Sequence, residues 1–386
     1  MSFTFEGDIP TIRTASEDLH RNETGTGFLD FIGQNWEGKI VHTGFPSLDD
    51  AIGGGLYPRL YVLGGETSTG KTTFALNLAD NIAKSGRSVC FFCMEMTRNE
   101  MIARSLSRLT HETNPDSALT ENEILYHHAA IEQIPKKREA FQTALAKYQT
   151  GIGKKIYFFE GRRNLSFVDG HPETYTSVRN VLTEVIGREK EEAMKEGREY
   201  YSPVICLDYL QILRPEPNTE TKTEKEQIDA HLEKIMTIKS ALETPVIVVS
   251  SYNRASYYKD SGNNGSFKGS GEIEYSADGL FFLELIKEPD NADKDRWITL
   301  PNGKRVKLDK DPSEAFNKAM QENVRKIRLK ATKNRGSKYG AEAYFEYFPA
   351  YNRFVFALPP TKAEGDSSYN QTAKNETQKN RARNVF

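Results

Sequence analysis

Apolar residues in this chain fall into short dense runs separated by longer stretches of helical period. Leu60 to Leu63, Val89 to Met94, Ile156 to Phe159, Val204 to Leu207 and Val246 to Ser250 are such runs. Each is rich in branched or aromatic residues and bounded by polar ones, the pattern of strands buried on both faces. The stretches between them read as helices. Thr73 to Ser85 puts Phe74, Leu78, Ala79 and Ile82 on one face and stops at Gly86, where a left-handed backbone ends a helix at little cost. Thr97 followed by Glu100 is a capping box that opens a helix over Arg98 to Leu109. Strands alternating with helices from about Val41 to Ala357 predict an α/β fold with a central, mostly parallel sheet flanked by helices. Four later runs, Leu280 to Leu285, Lys326 to Lys330, Ala343 to Phe348 and Arg353 to Phe356, lie closer together and predict antiparallel strands added at one edge.

The two ends break the pattern. Residues 1–40 are largely polar and lack a sustained period, with only Phe28, Leu29, Phe31 and Ile32 offering a small amphipathic patch, and they read as an arm or linker. Residues 41–358 form the predicted domain, and 359–386, with almost no large apolar residue, read as a disordered polar tail. There are 52 basic and 54 acidic side chains in 386 residues, a net charge of −2, so any surface that attracts nucleic acid must be local. No run of 18 apolar residues occurs, and MSFTFEGDIPT has no basic segment followed by an apolar one. The expectation is a cytoplasmic protein with no membrane partner. Of the three cysteines, Cys90 and Cys93 are three apart in a strand and point to opposite faces, which suits core thiols better than a metal or redox pair.

Candidate chemistry begins at Gly65. Residues Gly65, Glu66, Thr67, Ser68, Thr69, Gly70, Lys71 and Thr72 spell GETSTGKT, a phosphate-binding loop lying between the first strand and the first long helix, with Thr73 continuing into that helix. The glycines let successive backbone N–H groups turn inward onto a phosphate that also meets the positive end of the helix. In such a loop Lys71 reaches the β- and γ-phosphates of ATP, and the Thr72 hydroxyl holds Mg²⁺. Asp208 ends the run VICLD; it is either a strand-end cap or, beside a phosphate loop, the carboxylate that holds Mg²⁺. Glu95 ends the run SVCFFCM; it is either a surface cap or the base that orients a water toward the γ-phosphate.

Read in order, these segments resemble the motor domain of the bacterial replicative DNA helicase (DnaB) family, within the RecA-like P-loop ATPases. The resemblance covers Thr43 to Phe356 and rests on TGFPSLDDAIGGGL, GGETSTGKTTFALNLA, FFCMEMTRNEM, DYLQI, VVSSYNR, GSGEIEYSAD and KNRGSKYG. It implies Glu95 as the catalytic glutamate that orients the attacking water and Asp208 as the magnesium carboxylate. Lys333 and Arg335 become the pair supplied to a neighbouring subunit's ATP. The sensor segment departs from the family, with Tyr252 after Ser251 where Gln is usual. The family's amino-terminal collar has no counterpart in this sequence, so the resemblance carries the motor and not primase recruitment.

Charge patterning adds an oligomer and a nucleic-acid partner to these expectations. RKIRLKATKNRGSK, from Arg325 to Lys338, is a dense cationic stretch in a nearly neutral chain. It is either a solvated strand face or, at Lys333 and Arg335, a pair that meets a neighbour's phosphate. The implied assembly is a homo-oligomer, a closed ring with one ATP between each pair of subunits, and the family resemblance suggests a hexamer. Single-stranded DNA would run through its channel. The DNA-contact candidates are Arg254, Lys259 and Lys268, interleaved with Tyr257, Tyr258 and Phe267 in a loop rich in Gly, Ser and Asn that equally suits an ordinary flexible loop. Replication or mobile-element proteins would be further partners. A RecA-like ATPase that regulates proteins, with no unwinding activity, is the alternative function.

Overall fold

The computed structural model describes residues 32, 36, 38–160, 165–166, 176–208, 223–250, 272–286, 297–299, 305–307, 312–335 and 340–359. The chain divides into two compact units, residues 1–40 and 41–386. In the first, the described residues end in a turn closed by hydrogen bonds from Lys39 N and Ile40 N to the Trp36 carbonyl. The tail beyond residue 359 lies outside the described residues.

The second unit is built on strands β1 (Leu60–Gly65), β2 (Val89–Cys93), β3 (Ile156–Glu160), β4 (Leu165–Ser166), β5 (Thr176–Ser177), β6 (Val204–Asp208), β7 (Val246–Val249), β8 (Gly279–Leu285), β9 (Trp297–Thr299), β10 (Arg305–Lys307), β11 (Arg325–Asn334), β12 (Glu342–Phe348) and β13 (Arg353–Ala357). Nine of them form one sheet in the order β13-β12-β11-β8-β1-β7-β6-β2-β3. From β8 to β3 every neighbouring pair is parallel. The strands β11, β12 and β13 add on antiparallel. The expectation for Leu280 to Leu285 is corrected here: β8 runs parallel to β1, with Tyr61 opposite Gly279 and Gly65 opposite Leu283. A parallel neighbour needs a long crossover, and the chain between Val249 and Gly279 is long enough to supply it.

Strand alternation sends Leu60 and Val62 to one face and Tyr61 and Leu63 to the other, each into its own core. One core is closed by helices α1 (Lys71–Lys84), α2 (Arg98–Thr113) and α3 (Pro135–Lys147). The other is closed by α4 (Val178–Glu196) and α5 (Glu224–Leu242). The Thr97–Glu100 capping box is present, and α2 runs four residues past the expected end. Helix α1 departs further from expectation: it is buried on nearly every side, including Asn77 and Asp80, rather than on one face. The β12–β13 hairpin accounts for this, because Phe345 and Phe354 pack edge-on against Phe74 at 5.2 and 5.1 Å. Asn77 fastens the hairpin to the helix, donating to the Asn352 carbonyl and accepting from Phe354 N.

All three cysteines are buried, Cys90 in one core and Cys93 and Cys206 in the other. Burial pushes each thiol well above its usual titration range.

Candidate active site

The phosphate loop leaves the carboxyl end of β1 at the middle of the sheet, and its shape is set by contacts a side chain would destroy. A Cβ on Gly65 would lie 2.6 Å from the Leu283 carbonyl oxygen. Gly70 has φ +89°, and a Cβ there would meet the rings of Tyr347 and Phe354 at 2.9 and 3.0 Å. Between them Thr69 closes the turn through its hydroxyl onto the Glu66 carbonyl at 2.8 Å. Ser68 takes a left-handed backbone at φ 64°, a conformation that costs a side-chain-bearing residue about 1–2 kcal/mol. Lys71 donates from Nζ to the carbonyls of Gly65 and Glu66, both at 3.0 Å, so the ammonium is held over the hollow of the loop. Thr67, Thr72 and Thr73 complete the segment, and the Thr73 carbonyl accepts from Asn77.

Parallel pairing brings the acids to the same end of the sheet. Cys93 stands opposite Asp208, and Met94 N donates to the Asp208 carbonyl at 2.8 Å, so Glu95 emerges directly beside it. Asp208 is buried and accepts a hydrogen bond from the Thr72 hydroxyl. Burial, aided by the charge of Glu95 and opposed by Thr72 and Lys71, pushes its carboxyl up to about 6. Burial also lowers Lys71, against the pull of Asp208, Glu95 and Glu66. These mutual influences place Lys71, Thr72, Glu95 and Asp208 in one constellation. A hydroxyl beside a buried carboxylate that resists ionising alone is a hard-oxygen donor set of the kind that takes Mg²⁺. The residues therefore fit the ion.

Lys333 and Arg335 lie elsewhere. Lys333 stands opposite Leu280 and Asn334 opposite Gly279, at the foot of β8, while the phosphate loop lies at the head of the neighbouring β1. The six residues of β1 separate the two ends by about 17 Å, more than an arginine side chain spans. Lys333 Nζ donates to the carbonyls of Glu274 and Tyr275, and Arg335 Nη1 lies 3.0 Å from Asp278 Oδ1. The chain holds these two cations away from its own nucleotide loop. Arg254, Lys259 and Lys268, with Ser251 and Tyr252, lie outside the described residues.

Three further residues, two at this site and one beside Arg335, have contacts that the sequence pattern does not reveal. Arg325 donates from Nη1 to the Ser68 carbonyl at 2.9 Å, and its guanidinium lies over the Tyr347 ring. Arg104 acts on Asp208 through its charge and is itself held by Glu121 at 3.0 Å. Asp278 anchors Arg335. Of the rest of the cationic stretch, Arg328 is ion-paired to Glu284 and Glu342 on the strands either side, so the solvated-face reading does not hold for it.

Comparison with known proteins accords with this geometry. The family model of the DnaB-like helicase C-terminal domain matches residues 40–146 and 179–354. The replicative DNA helicase DnaB of Pasteurella multocida is 28% identical over 248 residues, 63% of this chain and 46% of that protein. The DnaB of Haemophilus influenzae is 26% identical over 262 residues, 67% of this chain and 49% of that protein. The chain thus spans about half the length of the curated relatives it matches. Among solved structures, an ATPase domain superposes with a TM-score of 0.58 at 18% identity, covering 82% of this chain and 91% of that one. A DnaB-like replicative helicase, solved in a study that includes its interactions with primase, gives 0.57 at 18% identity over 82% and 62%. The fold is therefore that of RecA-like helicase ATPase domains, a mostly parallel sheet with antiparallel edge strands. With its family model matched in two segments that together take in well over half of the sequence, the chain belongs to the DnaB-like helicase C-terminal domain family.

Proposed function

We propose that this chain is the motor of a ring-forming, ATP-dependent DNA helicase or translocase that hydrolyses ATP between subunits and moves along single-stranded DNA. The observation that carries the reading is the separation of two half-sites. Lys71, Thr72, Glu95 and Asp208 gather at the head of the sheet, and Lys333 and Arg335 project from its foot. Neither half is complete alone. Repeating the chain head to foot around a closed ring completes every site, and a ring is how heterologous contacts end without an open filament. Family membership supports six copies.

In that assembly the loop amides and Lys71 bind and orient the ATP phosphates. Thr72 and Asp208 would hold Mg²⁺, which, when bound, neutralises charge on the β- and γ-phosphates. Glu95, exposed beyond the end of β2, accepts the proton of the attacking water and aims its oxygen at the γ-phosphorus. The neighbour's copies of Lys333 and Arg335 stabilise the charge that spreads over the γ-phosphoryl oxygens, a contribution of about 10³ to 10⁵ in rate for an arginine finger. Arg254, Lys259 and Lys268 remain the proposed strand contacts on sequence grounds. Family membership also supports a cytoplasmic place of work. No helix among the described residues is long and apolar enough to cross a membrane.

The test is steady-state ATP hydrolysis with and without a single-stranded oligonucleotide, with Lys71→Ala as the blank. Lys71-dependent turnover stimulated by the oligonucleotide is expected. Turnover that depends on Lys71 and ignores DNA would overturn the translocase reading in favour of a protein-directed RecA-like regulator.

A further inference from the structure

At the foot of β1 and β8 sits a carboxylate that the motor chemistry does not itself use. Asp278 is 5% exposed. Its Oδ2 accepts the Leu60 amide at 3.0 Å and lies 3.3 Å from Lys239 Nζ on α5. Its Oδ1 takes Nη1 of Arg335 at 3.0 Å. The two backbones are tied as well, with Asp278 N donating to the Leu60 carbonyl and Arg335 N donating to the Asp278 carbonyl. From the other side Arg59, stacked over Tyr57, donates to the Arg335 carbonyl. The acid is rigid while its partner is not buried: the Arg335 side chain is 59% exposed.

An ion pair with one exposed member adds little to stability. What this one adds is direction. A free arginine side chain carries about 2 kcal/mol of rotamer entropy, and a group that must meet a phosphoryl transition state works only when that freedom is already spent. Asp278 holds one nitrogen of the guanidinium and leaves its outer side to solvent, where a neighbouring subunit would bring its nucleotide. We propose that Asp278, braced by Lys239 and the Leu60 amide, is the positioning residue that aims Arg335 at the ATP of the adjacent subunit. The same contact links the finger to α5, so a movement of that helix shifts the finger through Lys239.

This inference rests on the inter-subunit reading above, and the experiment separates the two. In the full chain, Asp278→Asn keeps an oxygen for the Leu60 amide and removes the charge that holds Arg335. Turnover is expected to fall about 10²-fold, the cost of a small misplacement of a catalytic group, with ATP affinity unchanged. Mixing it one to one with Lys71→Ala pairs an intact loop with an intact finger at about a quarter of the interfaces of a randomly assembled ring, and turnover should recover toward that fraction. Mixing it with Arg335→Ala should recover nothing, because neither variant presents a correctly aimed finger. Lys239→Met loosens the same carboxylate from behind; it should give a smaller loss with the same rescue, and it serves if Asp278→Asn does not fold. Wild-type turnover by both variants would overturn the proposal. So would a defect that Lys71→Ala fails to rescue while rescuing Arg335→Ala. If the mixture of Arg335→Ala with Lys71→Ala fails too, the inter-subunit reading falls and takes this role with it.

Discussion

Replacing Asp208 by Asn should make the nucleotide-free protein more stable while abolishing turnover. The carboxyl sits at about 6 in the fold against 3.8 when exposed, and desolvation is the main cause. The native state therefore keeps its proton to higher pH than the unfolded chain does. Where the native state binds more protons, stability falls as pH rises, so this group's favourable contribution is present below about 4 and gone above about 6. A difference of about two pH units at 1.36 kcal/mol each makes the ionised form cost about 3 kcal/mol in the fold. Asn has nearly the same shape and can still accept the Thr72 hydroxyl, with no charge to desolvate. Thermal melts in EDTA at pH 8 should place the variant above wild type by on the order of 5 °C for a domain of this size. The gap should close as pH is lowered through 6 toward 4. Magnesium should raise the wild type at pH 8 and leave the variant unmoved, since only the ionised carboxylate gains a partner. Equal melting at pH 8, or a gap that persists at pH 4, would refute the account of Asp208 as a site poised for a cation.

Glu95→Gln should bind ATP as the wild type does and lose at least about 10²-fold in turnover; a variant hydrolysing at the normal rate removes Glu95 from its role. Arg325→Met should weaken ATP binding by up to about tenfold by freeing the Ser68 carbonyl, the scale of a hydrogen bond from a charged donor. Nucleotide titration checks this, and because that defect lies in the chain's own loop, at low ATP mixing with Arg335→Ala should restore turnover at the interfaces that pair an intact loop with an intact finger, whereas mixing with Lys71→Ala should not. Arg108→Met strips the buried Asp80 of the guanidinium 3.2 Å away and should cost about 3–5 kcal/mol in a urea melt. Adding Asp80→Asn should recover most of that loss, whereas a single-variant loss under about 1 kcal/mol would contradict the pairing.

The local features of the site were legible because their physics is local. A phosphate loop needs its glycines and lysine in one short segment, and Thr97 caps a helix with a glutamate three residues on, so both stand in the sequence at their working distance. The parallel core was legible through its apolar runs. Less legible was the direction of β8, since a strand of fixed composition can run either way and only the crossover decides. Long-range holds were not legible at all. Asp278 meets Arg335 across 57 positions and Arg325 meets Ser68 across 257. The alternation of basic and apolar residues in β11 reads as a wet face. In the sheet, Arg325, Arg328 and Lys333 are instead claimed by acids and carbonyls of neighbouring elements and of the loop.

The burial of every cysteine makes the chain silent toward electrophiles. Attack on a maleimide or a disulfide requires a thiolate within reach of solvent, and Cys90, Cys93 and Cys206 offer neither ionisation nor access. A single cysteine installed at an exposed position such as Gln142 on α3 would then be the one reactive thiol of the native chain. If the chain assembles as proposed, fluorescent reporters could be attached to successive subunits without first stripping the core of its sulfur, and the spacing between neighbours followed during ATP turnover.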